Sequence, residues 1–259
     1  MIFRACVAAI LGCVLAAQLG AQAPLRVAAA ADLEPVLPPV LAQFEQATGI
    51  HAEATYQASA MLTTEIENGA PFDLFLSADL SYPKKLIDDG LADAAGSADS
   101  TTPIIYARGT LVLWARKDSH LASPSLDLLR SPALKRLAIA NPDRAPYGRA
   151  AVAALQSLNL YDALKPRLVT AENIAQAAQF VDSGNADAGL ISLTSALTPR
   201  LTADGSYFVV PHNLYPAIEQ GAVIVSSTKQ RAAVHKLLDF LLSPAVQAEL
   251  AKSGLAPVR

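Results

Sequence analysis

The sequence predicts an α/β protein of two lobes, each a mostly parallel sheet flanked by helices, joined through a hinge of two strands. Three observations point there. Short apolar, β-prone runs alternate with helical segments along most of the chain, the pattern of sheets built from βαβ units. The alternation runs through twice, restarting after a long extended stretch around Leu111. Two closing helices then follow a final strand, and they need a sheet to cover, for which the first half is the host. The chain on this reading crosses between lobes twice: residues 24–108 and 219–259 form one lobe and residues 109–218 the other.

In the first half, Leu25–Ala30 reads as a strand and Val36–Ala47 as mostly helix, stopped at Thr48-Gly49. Pro38-Pro39 so early in that helix predicts an irregular or restarted first turn. Ala52–Tyr56 is a strand, and Ala60–Glu67 a helix with Asn68-Gly69 as its stop. Asp73–Ser77 is a buried strand, and Tyr82–Asp89 a helix ending at Gly90. Ala95–Thr102, small and polar, reads as a surface loop. Pro103–Arg116 reads as one long extended segment, with Leu111-Val-Leu-Trp114 strongly β-prone.

In the second half, Leu137–Ala140, Arg167–Thr170, Ala188–Ser192 and Tyr207–Val210 are strands. Gly148–Leu158 and Asn173–Asp182 are helices. Ala217–Val225 is the last strand, and His235–Leu242 and Pro244–Ser253 close the chain as helices.

The chain opens with one positive charge, Arg4, an apolar run from Ala5 to Ala17, and the small-x-small pattern Ala21-Gln22-Ala23. That is a secretory signal, residues 1–23, too short in its apolar part to span a membrane. A periplasmic protein starting near Pro24 is expected. Both cysteines, Cys6 and Cys13, fall inside the signal, so the exported chain has no thiol, no disulfide and no cysteine metal site. It must be stable on its core alone, which its length permits. A rival reading of Ile10-Leu-Gly-Cys13 makes Cys13 a lipid anchor. The net charge of −3 gives no basic footprint for nucleic acid.

Four helix starts follow strands and are candidates for chemistry, because first-turn N–H groups lack intrahelical partners and the dipole end is positive. The first is Asp32-Leu-Glu-Pro35, where Asp32 reads most simply as a helix cap. The second is Gln57-Ala-Ser59-Ala-Met61, where Ser59 either caps or turns its O–H outward to an oxyanion. The third is Asn141-Pro-Asp-Arg-Ala-Pro146-Tyr147-Gly-Arg149, where Pro146 suits the first helical position, Ala145 is a poor cap, and Tyr147 adds a phenol donor. The fourth is Thr170-Ala-Glu-Asn173-Ile174, with Thr170 or Glu172 as cap and Ile174 offering only its backbone N–H. Each start alone is weak; two per lobe, facing one crevice, are informative together.

An enzyme is poorly supported. Walker A, G-x-S-x-G, G-x-G-x-x-G and H-E-x-x-H patterns are absent. His51, His120, His212 and His235 are scattered in surface-like contexts, and nothing pairs a nucleophile with a base.

With these residues in place, the chain resembles the periplasmic molybdate-binding proteins of ABC importers over most of its exported length. The resemblance rests on Val27-Ala-Ala-Ala-Ala-Asp-Leu33, Gly69-Ala-Pro-Phe-Asp-Leu-Phe-Leu-Ser-Ala-Asp79, Ala140-Asn-Pro-Asp-Arg-Ala-Pro-Tyr-Gly-Arg-Ala150, Glu172-Asn-Ile-Ala-Gln-Ala-Ala-Gln-Phe-Val181, Ala186-Asp-Ala-Gly-Leu-Ile191 and Ser243-Pro-Ala-Val-Gln-Ala-Glu249. It implies a type II periplasmic fold closing over one tetrahedral oxyanion, molybdate or tungstate, held by Ser59, Tyr147 and the Ile174 N–H. It implies no catalysis and no cofactor; molybdenum enters only within the oxyanion. Its partner would be an ABC permease, with the binding protein itself a monomer. Two positions depart from the family pattern. Asp32 stands where a serine is common, and Ser192 where a tyrosine is common. A carboxylate aimed at a dianion repels it, so Asp32 is expected to point away and cap, leaving nearby N–H groups to the ligand. The other option is direct coordination of the metal centre. Ser192 can donate but reaches less far than tyrosine. A binder of sulfate, phosphate or another small anion, an exported cleft enzyme and a receptor lobe presenting its ligand to a sensor remain alternatives.

Overall fold

The computed structural model describes residues 23–94, 101–121 and 123–258. All but the last residue of the expected signal sequence, both cysteines and most of the loop expected at Ala95–Thr102 lie outside them. Two sheets carry the architecture. The first contains β1 (Leu25–Ala30), β2 (Ala52–Gln57), β3 (Leu74–Ser77), β4 (Ala92–Ala94) and β5 (Ile104–Gly109). The second contains β6 (Leu111–Arg116), β7 (Leu137–Ala140), β8 (Leu168–Ala171), β9 (Ala188–Ser192) and β10 (Gly205–Val209). The last strand, β11 (Ile218–Val225), returns to the first sheet, whose order is β2-β1-β3-β11-β4 with β5 also beside β11. The second sheet runs β10-β6-β9-β7-β8.

Helices α1 (Leu37–Thr48), α2 (Ser59–Glu67) and α3 (Ser81–Asp88) belong to the first half. The second half carries α4 (Pro146–Ser157), α5 (Tyr161–Leu164), α6 (Ile174–Asp182), α7 (Leu193–Ala196) and α8 (Pro199–Asp204). Helices α9 (Arg231–Leu241) and α10 (Pro244–Lys252) end the chain and pack their Leu237, Leu241 and Leu250 into the core of the first sheet with Leu25, Val27 and Phe44. The opposite face of that sheet buries Ala28 and Phe75 under Leu62 and Leu86. The second sheet buries Leu113, Ile139 and Leu190 against Leu155 and Val181. Each such fully buried leucine contributes about 2 kcal/mol.

Pairing is parallel where βαβ units repeat: β1 with β2 and β3, and β7 with β8 and β9. It is antiparallel where the chain changes sheets: β11 with β3, β4 and β5, and β6 with β9 and β10. The single extended segment expected over Pro103–Arg116 is therefore two strands in two sheets, broken at Thr110, because β5 pairs with β11 and β6 with β9. Helix α1 does restart: a 3-10 turn spans Ala31–Leu33, and the α-helix begins only at Leu37, with a proline in its first turn. Gly49 ends it in the left-handed region, φ 72°.

Candidate functional site

All four helix starts reach one cavity between the two sheets. It is small, about 10 Å³, and is lined by Ala30, Ala31 and Asp32, by Gln57, Ala58 and Ser59, by Ala78, by Ala145, Pro146 and Tyr147, and by Asn173 and Ile174. Small residues at the strand ends let the helix starts close in. Gly148 shows how tightly: a Cβ there would stand 2.3 Å from the Ala140 carbonyl oxygen. The residues preceding the first turn and α2 and α4 are Ala30, Ala58 and Ala145, none with a capping side chain. No local side chain therefore accepts from their first-turn N–H groups, though Met61 N and Gly148 N bond back to the Ala58 and Ala145 carbonyls.

Asp32 does not cap. Its carboxylate is fully buried and turns toward the interlobe hinge, where Oδ2 accepts from the Tyr147 hydroxyl at 3.0 Å and from the Gln220 amide. Gln220 is itself oriented by Tyr106, whose hydroxyl donates to Gln220 Oε1 at 2.8 Å. The Thr194 hydroxyl donates to the backbone carbonyl of Asp32 at 2.8 Å. Oδ1 has no hydrogen-bond partner. Burial pushes the Asp32 carboxyl up to about 6, against the opposing pull of Gln220, Tyr147 and the residue's own amide. Burial, and then the Asp32 charge, hold the Tyr147 and Tyr106 phenols well above their usual range, so both stay neutral donors.

Ser59 is the first residue of α2 and leaves the capping position to Ala58. Its Oγ accepts the Ala78 N–H at 3.1 Å, tying α2 to the end of β3. A hydroxyl that accepts one bond still has its hydrogen to give. Tyr147 is buried, and its hydroxyl is spent on Asp32 rather than turned into open space. Gly109 makes room for it, since a Cβ there would lie 2.2 Å from the phenol oxygen. Ile174 opens α6, whose cap is Asn173, accepting from Gln176 N at 2.9 Å, not Thr170 or Glu172. Ser192 lies outside the cavity lining. Its Oγ caps α7, accepting from Ser195 N at 3.2 Å and lying 2.9 Å from Thr194 Oγ1. A serine closing a strand and opening a helix is better placed to satisfy that helix than to reach a ligand.

The lobes are closed on each other. The Ala60 N–H donates to the Arg144 carbonyl at 3.2 Å, and Ala30, Ala31, Ala58 and Ala78 pack into the core of the opposite half. At the rim Arg149 pairs with Asp79 and sits 5.3 Å from the centroid of the Tyr82 ring. Arg144 pairs with Glu172 at 2.5 Å.

The cavity is thus a set of N–H and O–H donors without a cationic side chain, suited to an anion whose charge is shared among fixed dipoles. Among the described residues, no group of three or more His, Cys, Asp or Glu could hold a metal ion. No helix there is long and apolar enough to cross a membrane. Gln220, Tyr106 and Thr194 escaped the sequence reading. The available signal was Gln220, a lone amide inside the apolar run Ile218–Val225.

Comparison with known proteins matches residues 25–256 to the family described as bacterial extracellular solute-binding protein. The chain is 38% identical over 234 residues to the molybdate-binding protein ModA of Azotobacter vinelandii, covering 90% of each. It is 37% identical to ModA of Rhodobacter capsulatus, over 82% of this chain and 80% of that one. Among solved structures, the Azotobacter vinelandii periplasmic molybdate-binding protein superposes with a TM-score of 0.83 at 32% identity, over 91% of this chain and all of that one.

Proposed function

Because the chain belongs to the bacterial extracellular solute-binding proteins, and among them to the periplasmic molybdate-binding kind, we propose that it captures molybdate or tungstate between its lobes. It then delivers the oxyanion to an ABC permease from the periplasm. The supporting observation is the convergence of Asp32, Ser59, Tyr147 and Ile174, from four separate helix starts and both lobes, on one buried cavity.

The roles follow from local chemistry. The Ser59 O–H and the first-turn N–H groups of Asp32, Ser59, Tyr147 and Ile174 donate to the oxyanion. Tyr147 acts from behind, by holding Asp32. Ser192 takes no direct part. Residues 24–108 with 219–259 and residues 109–218 act as the two closing halves, pivoting where β5 passes to β6 and β10 to β11. Contacts made by both halves together, such as Ala60 to Arg144 and Arg149 to Asp79, favour the closed form.

The test is calorimetric titration of residues 24–259 with molybdate, tungstate and sulfate. Tight one-to-one binding of the first two, with sulfate silent, is expected. Binding of sulfate alone would keep the fold and replace the ligand. Silence with all three would overturn the reading.

A further inference from the structure

We infer that Asp32 enters the bound state as a neutral carboxylic acid that donates from Oδ1 to the oxyanion, so that the dianion is captured together with one proton. The inference rests on the oxyanion reading above and adds a second, obligatory ligand to it.

The hydrogen bonds favour one oxygen for the proton. Oδ2 already accepts from two donors, the Tyr147 hydroxyl and the Gln220 amide. The amide turns its nitrogen to Asp32 and its oxygen to Tyr106, whose hydroxyl donates to it. A proton on Asp32 therefore belongs on Oδ1, the one carboxylate oxygen without a partner, on a residue that lines the cavity. An ionised Asp32 would put a negative charge against a dianion in a site holding no compensating cation. Protonation removes that repulsion and turns an acceptor into a donor, matching the other groups of the cavity. The O–H bond forms on Oδ1 with a proton drawn from buffer, and no other bond changes.

The surroundings supply no competing charge. Tyr106 on β5 and Tyr147 on α4 face the carboxylate as neutral phenols. Glu34, on the same turn, is exposed. On β2, Glu53 pairs with His51 and the Tyr56 phenol is pushed up to about 12 by burial. On α6, Asp182 pairs with Arg200 at 2.7 Å. Helix α7 offers only hydroxyls. Burial already raises the Asp32 carboxyl to about 6 in the ligand-free protein, and an adjacent dianion raises it further.

The experiment is calorimetric titration with molybdate in two buffers of unlike ionisation heat at one pH above 6, repeated across a pH series, on the native chain and on Asp32→Asn. The native chain is expected to take up about one proton per oxyanion, with affinity falling about tenfold per pH unit above about 6. Asp32→Asn, a permanent neutral donor, is expected to bind without proton uptake and without that slope. Any uptake that belonged to molybdate itself would persist in the variant, so the difference between the two chains isolates the Asp32 proton. Tight binding by the native chain with no proton uptake overturns the inference and leaves the oxyanion reading intact. No binding by a folded native chain at any pH overturns the oxyanion reading instead. Should Asp32→Asn fail to fold, the two-buffer measurement on the native chain decides alone.

Discussion

Arg149 spans the mouth of the cleft, and its removal measures what closure contributes. Its guanidinium pairs with Asp79 and donates to the Tyr82 hydroxyl at 3.2 Å, while lying over the Tyr82 ring. Arg149 is on α4 and both partners are in the first half, so all three contacts exist only when the lobes are together. The Arg149 side chain is 42% exposed and Asp79 17%. The ion pair is therefore discounted for solvent screening, and with the ring contact the sum is about 1.5 kcal/mol. Loss of that much closed-state stabilisation weakens binding about tenfold. The assay is titration of Arg149→Ala with molybdate beside Arg231→Ala, which breaks a pair with Asp93 confined to the first half. The first variant is expected to lose about tenfold and the second nothing. An Arg149→Ala affinity within about twofold of native, or an equal loss in both variants, would refute the reasoning.

Other substitutions probe the interior. Ser59→Ala removes the proposed donor to the ligand together with the acceptor for Ala78 N–H, and is expected to cost about 1–3 kcal/mol of binding free energy by titration. Tyr147→Phe leaves Oδ2 to Gln220 alone and loses a contact between the halves; a fall in affinity of about 5- to 30-fold is expected, and an unchanged dissociation constant would exclude the Tyr147 hydroxyl from any part in binding. Gly109→Ala drives a Cβ into the Tyr147 phenol, so chemical denaturation should show a loss of more than about 2 kcal/mol. Stability of the ligand-free chain should also depend on Asp32. Its carboxyl is protonated in both states below the unfolded value of 3.8, and ionised in both above about 6. Stability is thus lost as pH rises through that window, by about 3 kcal/mol. Asp32→Asn should lack this loss; a constant stability difference between the two chains across the window would contradict it.

Much of the fold is written in local pattern. The strands of the βαβ repeats stand out because apolar runs such as Leu74–Ser77 and Leu137–Ala140 are buried throughout. What the pattern hides is partner choice. Ile104–Gly109 and Leu111–Arg116 read as one segment because nothing local marks Thr110 as the point of departure for a second sheet. The strand Ala92–Ala94 is too short, with Asp93 at its centre, to be seen without β11 beside it. At the site, the four helix starts were visible from Pro146, the Ala runs and the strand ends. The orientation of Asp32 was not, because its partners Tyr147 and Gln220 are 115 and 188 residues away. The β5–β11 register shifts at Gln220/Gly221. Such an irregularity can re-aim a side chain, and no local pattern announced it.

The lack of a cation in the cavity governs the speed of capture as well as its strength. Arg144 and Arg149, at the rim, are each matched by a carboxylate, and the chain as a whole is negative. No long-range field therefore draws a dianion inward, and encounter proceeds without electrostatic steering. The same lack of unpaired positive charge at the rim gives chloride and other abundant anions nothing to gather around. Salt, by screening the chain's net negative charge, is then expected to raise the association rate slightly, the opposite of its effect on capture steered by a positive site.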